Sequence, residues 1–159
     1  AHVRLQSVDG LRDVPVDTYY TGYRQTVRQP NELITEIVIP KQRVGVRGHY
    51  FRKVGTRAFQ TITKVGLAAR IDWQDGQIQD ARVVAISMAA SVQRCRHIEE
   101  ALCGLDDLSD KSRESLREAQ LKDLTPMTDV RSTERYREEV FHRLVCHAVL
   151  ETRPEDDTG

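Results

Sequence analysis

Strict alternation dominates the middle of the chain. Val65, Leu67, Ala69, Ile71 and Trp73 fall on one side of an extended segment, with Lys64, Gly66, Ala68, Arg70 and Asp72 on the other, which predicts a half-buried strand. Asp75-Gly76 supplies a turn, because Gly accepts a positive φ without a Cβ clash. A return strand runs from Gln77 to about Ala89, and its apolar parity changes between Ile78 and Ala81, which predicts a bulge near Asp80. Upstream, Tyr50 to Val54 alternates as a strand until Gly55-Thr56 breaks it. Arg57 to Thr61 reads as a polar loop with one exposed aromatic, Phe59, and Thr63-Lys64-Val65 restores the strand.

The flanks carry weaker patterns. His2 to Val8 alternates up to the hairpin signal Asp9-Gly10, and Leu11 to Val14 returns before Pro15. Tyr19, Tyr20 and Tyr23 cluster around Thr21-Gly22, as amphipathic filler at a core rim or as a surface that stacks on a ring. Gln29 to Leu33 reads as a short helical turn. Leu33 to Ile39 reads as a strand with Leu33, Thr35, Ile37 and Ile39 on one face, ended by Pro40. Lys41 to Gly48 is a basic loop whose Lys41, Arg43 and Arg47 are expected to face solvent.

From Arg94 the period becomes helical. Ile98, Ala101 and Leu102 share a stripe, with Gly104 as the C′ residue. Ser109 is the N-cap candidate of a second helix to about Leu121, with Leu116 and Ala119 on its apolar side. After the crossover Leu124 to Arg131, Ser132 caps the longest helix, about Thr133 to Thr152. Tyr136, Val140, Phe141, Leu144, Val145 and Ala148 form its buried stripe. Strands first and helices last argue for an α+β fold: a three- to four-stranded antiparallel sheet packed against a small C-terminal helical bundle.

At 159 residues one compact domain is the default. Lys plus Arg equals Asp plus Glu, 24 each, so no global basic field attracts nucleic acid or an anionic membrane. No apolar run reaches the length of a spanning helix. The N-terminus has no secretory pattern and no initiator Met, as expected of a trimmed piece. Cys95, Cys103 and Cys146 are odd in number and widely spaced, which favours reduced thiols and a cytoplasmic protein. They cannot hold an iron-sulfur cluster, which needs closely placed thiolates.

No nucleophile elbow, P-loop or Ser-His-Asp order is present. His142 and His147 lie five apart on one helix, off a shared metal-binding face, and read as flank residues of a packed helix. Asp72, Asp75, Glu99 and Glu100 read as surface acids. What remains is the loop after Val54. It is either a wide hairpin with a solvated tip or a binding loop mounted on two rigid strands.

The ordered set of motifs resembles a known family. Phe51-Arg52-Lys53-Val54-Gly55, followed by Thr56, Arg57, Gln60, Ile62, Lys64 and Val65, is similar to the C-terminal domain of the FAD-binding subunit of xanthine dehydrogenases. These belong to the molybdenum hydroxylases, which include carbon monoxide dehydrogenase flavoproteins. Gly22-Tyr23-Arg24 with Thr26, Glu32-Leu33-Ile34 and Ile37 to Pro40 resemble the segment entering that domain. Gln77 to Ala89 resembles the strand after its hairpin. Arg94 to Gly104, and Pro126, Asp129, Arg131, Tyr136 and Arg137, resemble its helical half.

The resemblance implies residues 1–22 as the tail of a preceding FAD-binding domain, 23–153 as the flavoprotein C-terminal domain and 154–159 as a disordered tail. It implies an oxidoreductase in which electrons leave a molybdenum cofactor, cross [2Fe-2S] clusters and reach FAD, which passes them to NAD or another acceptor. The molybdenum and iron-sulfur centres would lie on other domains or subunits of a hetero-oligomer. A flavin needs an aliphatic contact, a cation near its electron-rich edge and a shaping loop. The resemblance assigns the first to Ile34 and the second to Lys53; Arg57, Gln60, Thr61 and Ile62 shape the loop. Vertebrate-type members carry an acid at the position of Gln60, near the path of NAD, so the neutral side chain here leaves the acceptor open. Asp129 and Arg131 are read as fixing the crossover, with Tyr136 anchoring the last helix. The Gly-rich loops that hold the rest of FAD are absent, so the piece alone is expected to be inactive. The rivals are a non-enzymatic α+β protein-interaction domain, or the same domain of a carbon monoxide or nicotinate-type dehydrogenase.

Overall fold

A computed structural model describes residues 1–41 and 47–154; Arg43, the Arg47 side chain and residues 155–159 lie outside the description. The chain divides into two compact units, Ala1–Val44 and Gly45–Gly159. The boundary expected after Gly22 falls inside the first.

In the first unit, β1 (His2–Ser7) turns through Val8 and Asp9 into β2 (Gly10–Pro15), as the Asp-Gly signal predicts. A short helix, α1 (Val16–Tyr19), and the small pair β3 (Tyr20–Gly22) and β4 (Gln25–Thr26) lead to β5 (Leu33–Val38). The sheet order is β2-β1-β5. β1 is therefore the central strand rather than part of an isolated hairpin. Val3, Leu5, Val14 and Tyr19 form the core, with Val27 packed against it. Of the tyrosine cluster only Tyr19 is buried.

β5 departs from simple alternation. Arg4 pairs with Glu36 and Leu5 with Ile34, leaving Thr35 as the extra residue of a bulge. The shared face expected for Leu33, Thr35 and Ile37 is thereby broken, and Ile34 and Ile37 come opposite the buried Leu5 and Val3. On the other face Arg4 ties three strands together, through Asp13 at 2.9 Å and Glu36 at 2.6 Å.

The second unit has the α+β architecture the pattern predicts. β6 (Arg47–Val54), β7 (Val65–Gln74), β8 (Gln77–Ile86) and β9 (Gln93–Arg94) form an antiparallel sheet in that order. All five apolar residues on the core face of β7 are buried. Asp75 and Gly76 both take positive φ in the turn. The pairs Asp72–Asp80 and Trp73–Ile78 leave Gln79 unpaired, which is the bulge expected beside Asp80. β8 ends at Ile86 rather than Ala89, and the two-residue strand β9 precedes the helix where a purely helical run was expected.

Three helices cover one face of this sheet: α2 (Arg96–Leu102), α3 (Asp110–Asp123) and α4 (Glu134–Thr152). Ser109 caps α3 as expected, accepting from the Ser112 amide at 3.3 Å. The cap of α4 is Thr133, one residue later than expected; it accepts from the Tyr136 amide at 3.2 Å. Phe141, Leu144, Val145 and Ala148 are buried, but Tyr136 is 41% exposed and lies outside the stripe. Each large side chain sealed in this core contributes about 2 kcal/mol. β6 approaches the end of α4 at Gly48, where a Cβ would lie 2.2 Å from Thr152 Cβ.

Candidate functional site

The loop between β6 and β7 is built rather than slack. Lys64 N–H donates to the Val54 carbonyl at 2.8 Å and closes its neck. Thr61 Oγ1 accepts from the Thr56 amide at 3.1 Å and packs on Gly55. Gln60 takes φ +47°, turning its carbonyl toward Arg57, whose Nε and a terminal nitrogen donate to it at 3.1 and 2.6 Å. Arg57 and Thr61 thus brace the loop, and Phe59 at its tip is 84% exposed.

The braced loop and the end of β6 line an open concavity of about 680 Å³. Arg52, Lys53, Arg57, Gln60 and Thr61 line it with Gly55 and Thr56, and the lining holds no carboxylate. Lys53 has no hydrogen bond or ion pair among the described residues and is exposed. Such a site offers positive potential and a free ammonium donor to an anion or an electron-rich ring. Ile62 stands outside it, on a neighbouring cavity of about 420 Å³ shared with Arg57, Lys64, Val130 and Arg131. Ile34 belongs to the first unit, where it is half-exposed on β5. Five of the six expected residues therefore converge on one loop and its two hollows.

Sequence reasoning missed Arg52, Val130 and Arg131 as lining residues. The last two are distant in sequence and no local pattern links them to the loop. The crossover is fixed differently from the expectation. Asp129 accepts from the backbone amides of Arg131 at 2.8 Å and Ser132 at 3.0 Å, and pairs with Arg137 at 2.7 Å, leaving the Arg131 side chain to the cavity. The Arg131 amide, then Arg137 and the Ser132 amide, hold the Asp129 carboxyl below its ordinary value. Lys64 lies over the Tyr136 ring at 5.5 Å, joining the loop to the start of α4.

Elsewhere His142 is buried, with Cys146 Sγ 3.8 Å from its Nε2. Burial, then Arg117, keeps its pKa below the ordinary value, and burial raises that of Cys146. Neither group is therefore charged for catalysis near neutrality. Among the described residues no group of three His, Cys, Asp or Glu side chains is placed to hold a metal ion, and no helix is long and apolar enough to cross a membrane.

Residues 49–152 match the family model of the CO dehydrogenase flavoprotein C-terminal domain. The chain belongs to this family. Residues 1–42 match a second model, the FAD binding domain in molybdopterin dehydrogenase. Among relatives, this flavoprotein C-terminal domain chain is 27% identical over 150 residues to the nicotine 6-hydroxylase medium subunit of Paenarthrobacter nicotinovorans, covering 94% of the chain and 51% of the relative. It is 22% identical over 151 residues to a putative xanthine dehydrogenase FAD-binding subunit of Escherichia coli K12, covering 95% and 51%. The chain therefore spans about half the length of the relatives it matches. Its fold is that of the Cu,Mo-CO dehydrogenase chain in a cyanide-inactivated crystal structure, with TM-score 0.84, 22% identity and coverage of 95% and 52%. Quinoline 2-oxidoreductase from Pseudomonas putida 86 follows at TM-score 0.79, 18% identity and coverage of 95% and 51%.

Proposed function

We propose that the chain is part of the FAD-binding subunit of a molybdenum hydroxylase, and that its second unit forms one wall of the flavin site. The carrying observation is the carboxylate-free concavity beside a self-braced loop, with Lys53 in its lining and without a hydrogen bond or ion pair among the described residues. The lining fits a flavin: a cation suits the electron-rich edge of the ring, and a braced loop gives that edge a fixed border. Lys53 is the cation, while Arg57, Gln60 and Thr61 set the loop's shape and Ile62 flanks it. When bound, FAD supplies the electron-transfer chemistry, accepting electrons from [2Fe-2S] clusters and passing them to NAD or another acceptor. This chain's residues hold and orient it.

In this reading the first unit belongs to a FAD-binding domain, the second to the flavoprotein C-terminal domain, and the molybdenum and iron-sulfur centres lie on partner domains or subunits. The thiols of Cys95, Cys103 and Cys146 are all free, in keeping with a reducing, cytoplasmic setting. The test is Lys53→Ala in the full-length protein. Flavin content should fall, or the flavin midpoint potential should move down as a favourable charge for the reduced ring is lost. Unchanged flavin content and potential would remove Lys53 from the site.

A further inference from the structure

The four-stranded sheet has two unlike edges. One closes on β9, a strand of only two residues. The other is β6, eight residues or about 26 Å of strand, with no strand beside its outer edge among the described residues. β6 contains no Pro, and its register with β7 advances one for one from Arg47–Asp72 to Val54–Val65 without a bulge. Alternate N–H and C=O groups along this edge therefore point away from the sheet without a ladder partner, and a long, regular edge of that kind is a template for a further strand.

A groove of about 740 Å³ runs between this edge and α4. Tyr50, Val54, Val140 and Leu144 give it an apolar side that packs against the core of the second unit. Arg52, Arg143 and His147 give it a basic side, and Glu151 is the one carboxylate in the lining, 3.8 Å from His147. Arg52 is exposed and has no hydrogen bond or ion pair among the described residues. Tyr50 lies half-buried beside the His147 ring, with centroids 5.8 Å apart, and its hydroxyl has no hydrogen-bond partner among the described residues. A half-buried tyrosine with a free hydroxyl, next to an unpaired arginine, is the kind of anchor that interfaces use.

We propose that β6 receives an extended, acidic segment of a partner protein as a fifth strand, seated in the groove beside α4. Main-chain hydrogen bonds along the edge supply the pairing. Tyr50, Val54 and Leu144 receive the apolar side chains on the α4 side, and acids of the segment meet Arg52 and Arg143. Charge selects this occupant over a second copy of the chain. β6 contains no acid, so pairing two such strands antiparallel about Tyr50 and Phe51 would set His49 of each opposite Arg52 of the other. Basic groups directly opposite one another destabilise a pair, whereas an acidic strand turns the same positions into attractions.

The test uses the full-length protein and two rhodamine-labelled hexapeptides, one alternating Glu with Val and the other Lys with Val. The acidic peptide should bind by fluorescence anisotropy, more weakly as salt is raised, and should slow hydrogen exchange of the outward β6 amides. The lysine peptide should do neither. Arg143→Glu should weaken binding of the acidic peptide several-fold at unchanged flavin content, since Arg143 lies outside the loop assigned to the flavin. No binding of the acidic peptide, equal binding of both, or binding that leaves β6 exchange unaltered would overturn the proposal. Outward β6 amides already protected in the peptide-free monomer would assign the edge to the rest of its own polypeptide. Protection that grows with protein concentration would assign it to a second copy. Either result would equally overturn the acidic partner.

Discussion

A Cβ on Gly55 would lie 2.2 Å from Thr61 Oγ1 and 2.9 Å from Thr61 Cβ. The threonine hydroxyl reaches the Thr56 amide only because residue 55 has no side chain. Gly55→Ala should therefore destabilise the second unit by about 1–3 kcal/mol through overpacking and loosen flavin in the full-length protein. Thr61→Gly removes the obstructing atoms, so the double variant should be less unstable than the sum of the singles. Urea unfolding of the four proteins measures this coupling; strict additivity would show that the two residues do not share the space.

Glu32 should give the first unit a pH-dependent stability. Its carboxylate accepts from Arg12 at 2.6 and 2.8 Å and from the Gln29 amide at 2.7 Å. These partners, Arg12 foremost, hold its pKa down at about 2. A carboxyl depressed on folding stabilises the protein fully above its ordinary value near 4.5, and this is lost as pH falls through about 2. Glu32→Gln should lower hydrogen-exchange protection of the β1 amides at pH 7, with the gap to wild type narrowing toward pH 2. A gap independent of pH would mean that packing, not charge, sets the effect.

The fold was legible wherever one residue's neighbours decided its place. Alternation from Val65 to Trp73 located the core face of the sheet, the parity change before Ala81 located its bulge, and Ser109 located a helix start. The errors lie where a distant partner decided. Thr35 bulges because β5 must match β1 across the first unit. Tyr136 faces outward, under Lys64, although its spacing suits the buried stripe of α4. The same limit applies to the candidate site. Its loop and its lysine stood out in sequence, but the inward turn of Arg57 onto Gln60 and the approach of Val130 and Arg131 depend on three-dimensional closure.

Thiol reactivity should separate the three cysteines. Cys95 is buried, and burial, then Asp123, pushes its pKa up to about 12. At pH 8 roughly one molecule in ten thousand then carries its thiolate. Cys146 is buried and also raised, whereas Cys103 is exposed. Iodoacetamide at pH 8 should label Cys103 in the native protein and reach the other two only on unfolding. Rapid native labelling of Cys95 would contradict the packing of α2 against β8.

Arg137 is the buried strut of the helical half. Its guanidinium donates to the Ser87 carbonyl and pairs with Asp129, while its Nε finds no acceptor among the described residues. Ser87 needs support, since its φ of +63° is a left-handed conformation costing a non-glycine residue about 1 kcal/mol. Arg137→Leu should cost about 2 kcal/mol, from the carbonyl left without its charged donor. The Asp129 pair adds little, because that carboxylate is open to screening water. Ser87→Gly relieves the strain at the expense of chain entropy and should stay within about 1 kcal/mol of wild type. If Arg137 matters through Ser87, thermal unfolding should show a smaller loss from Arg137→Leu in the Ser87→Gly background, where the turn no longer needs holding. An equal loss in both backgrounds would assign the strut's effect to packing under α4 instead.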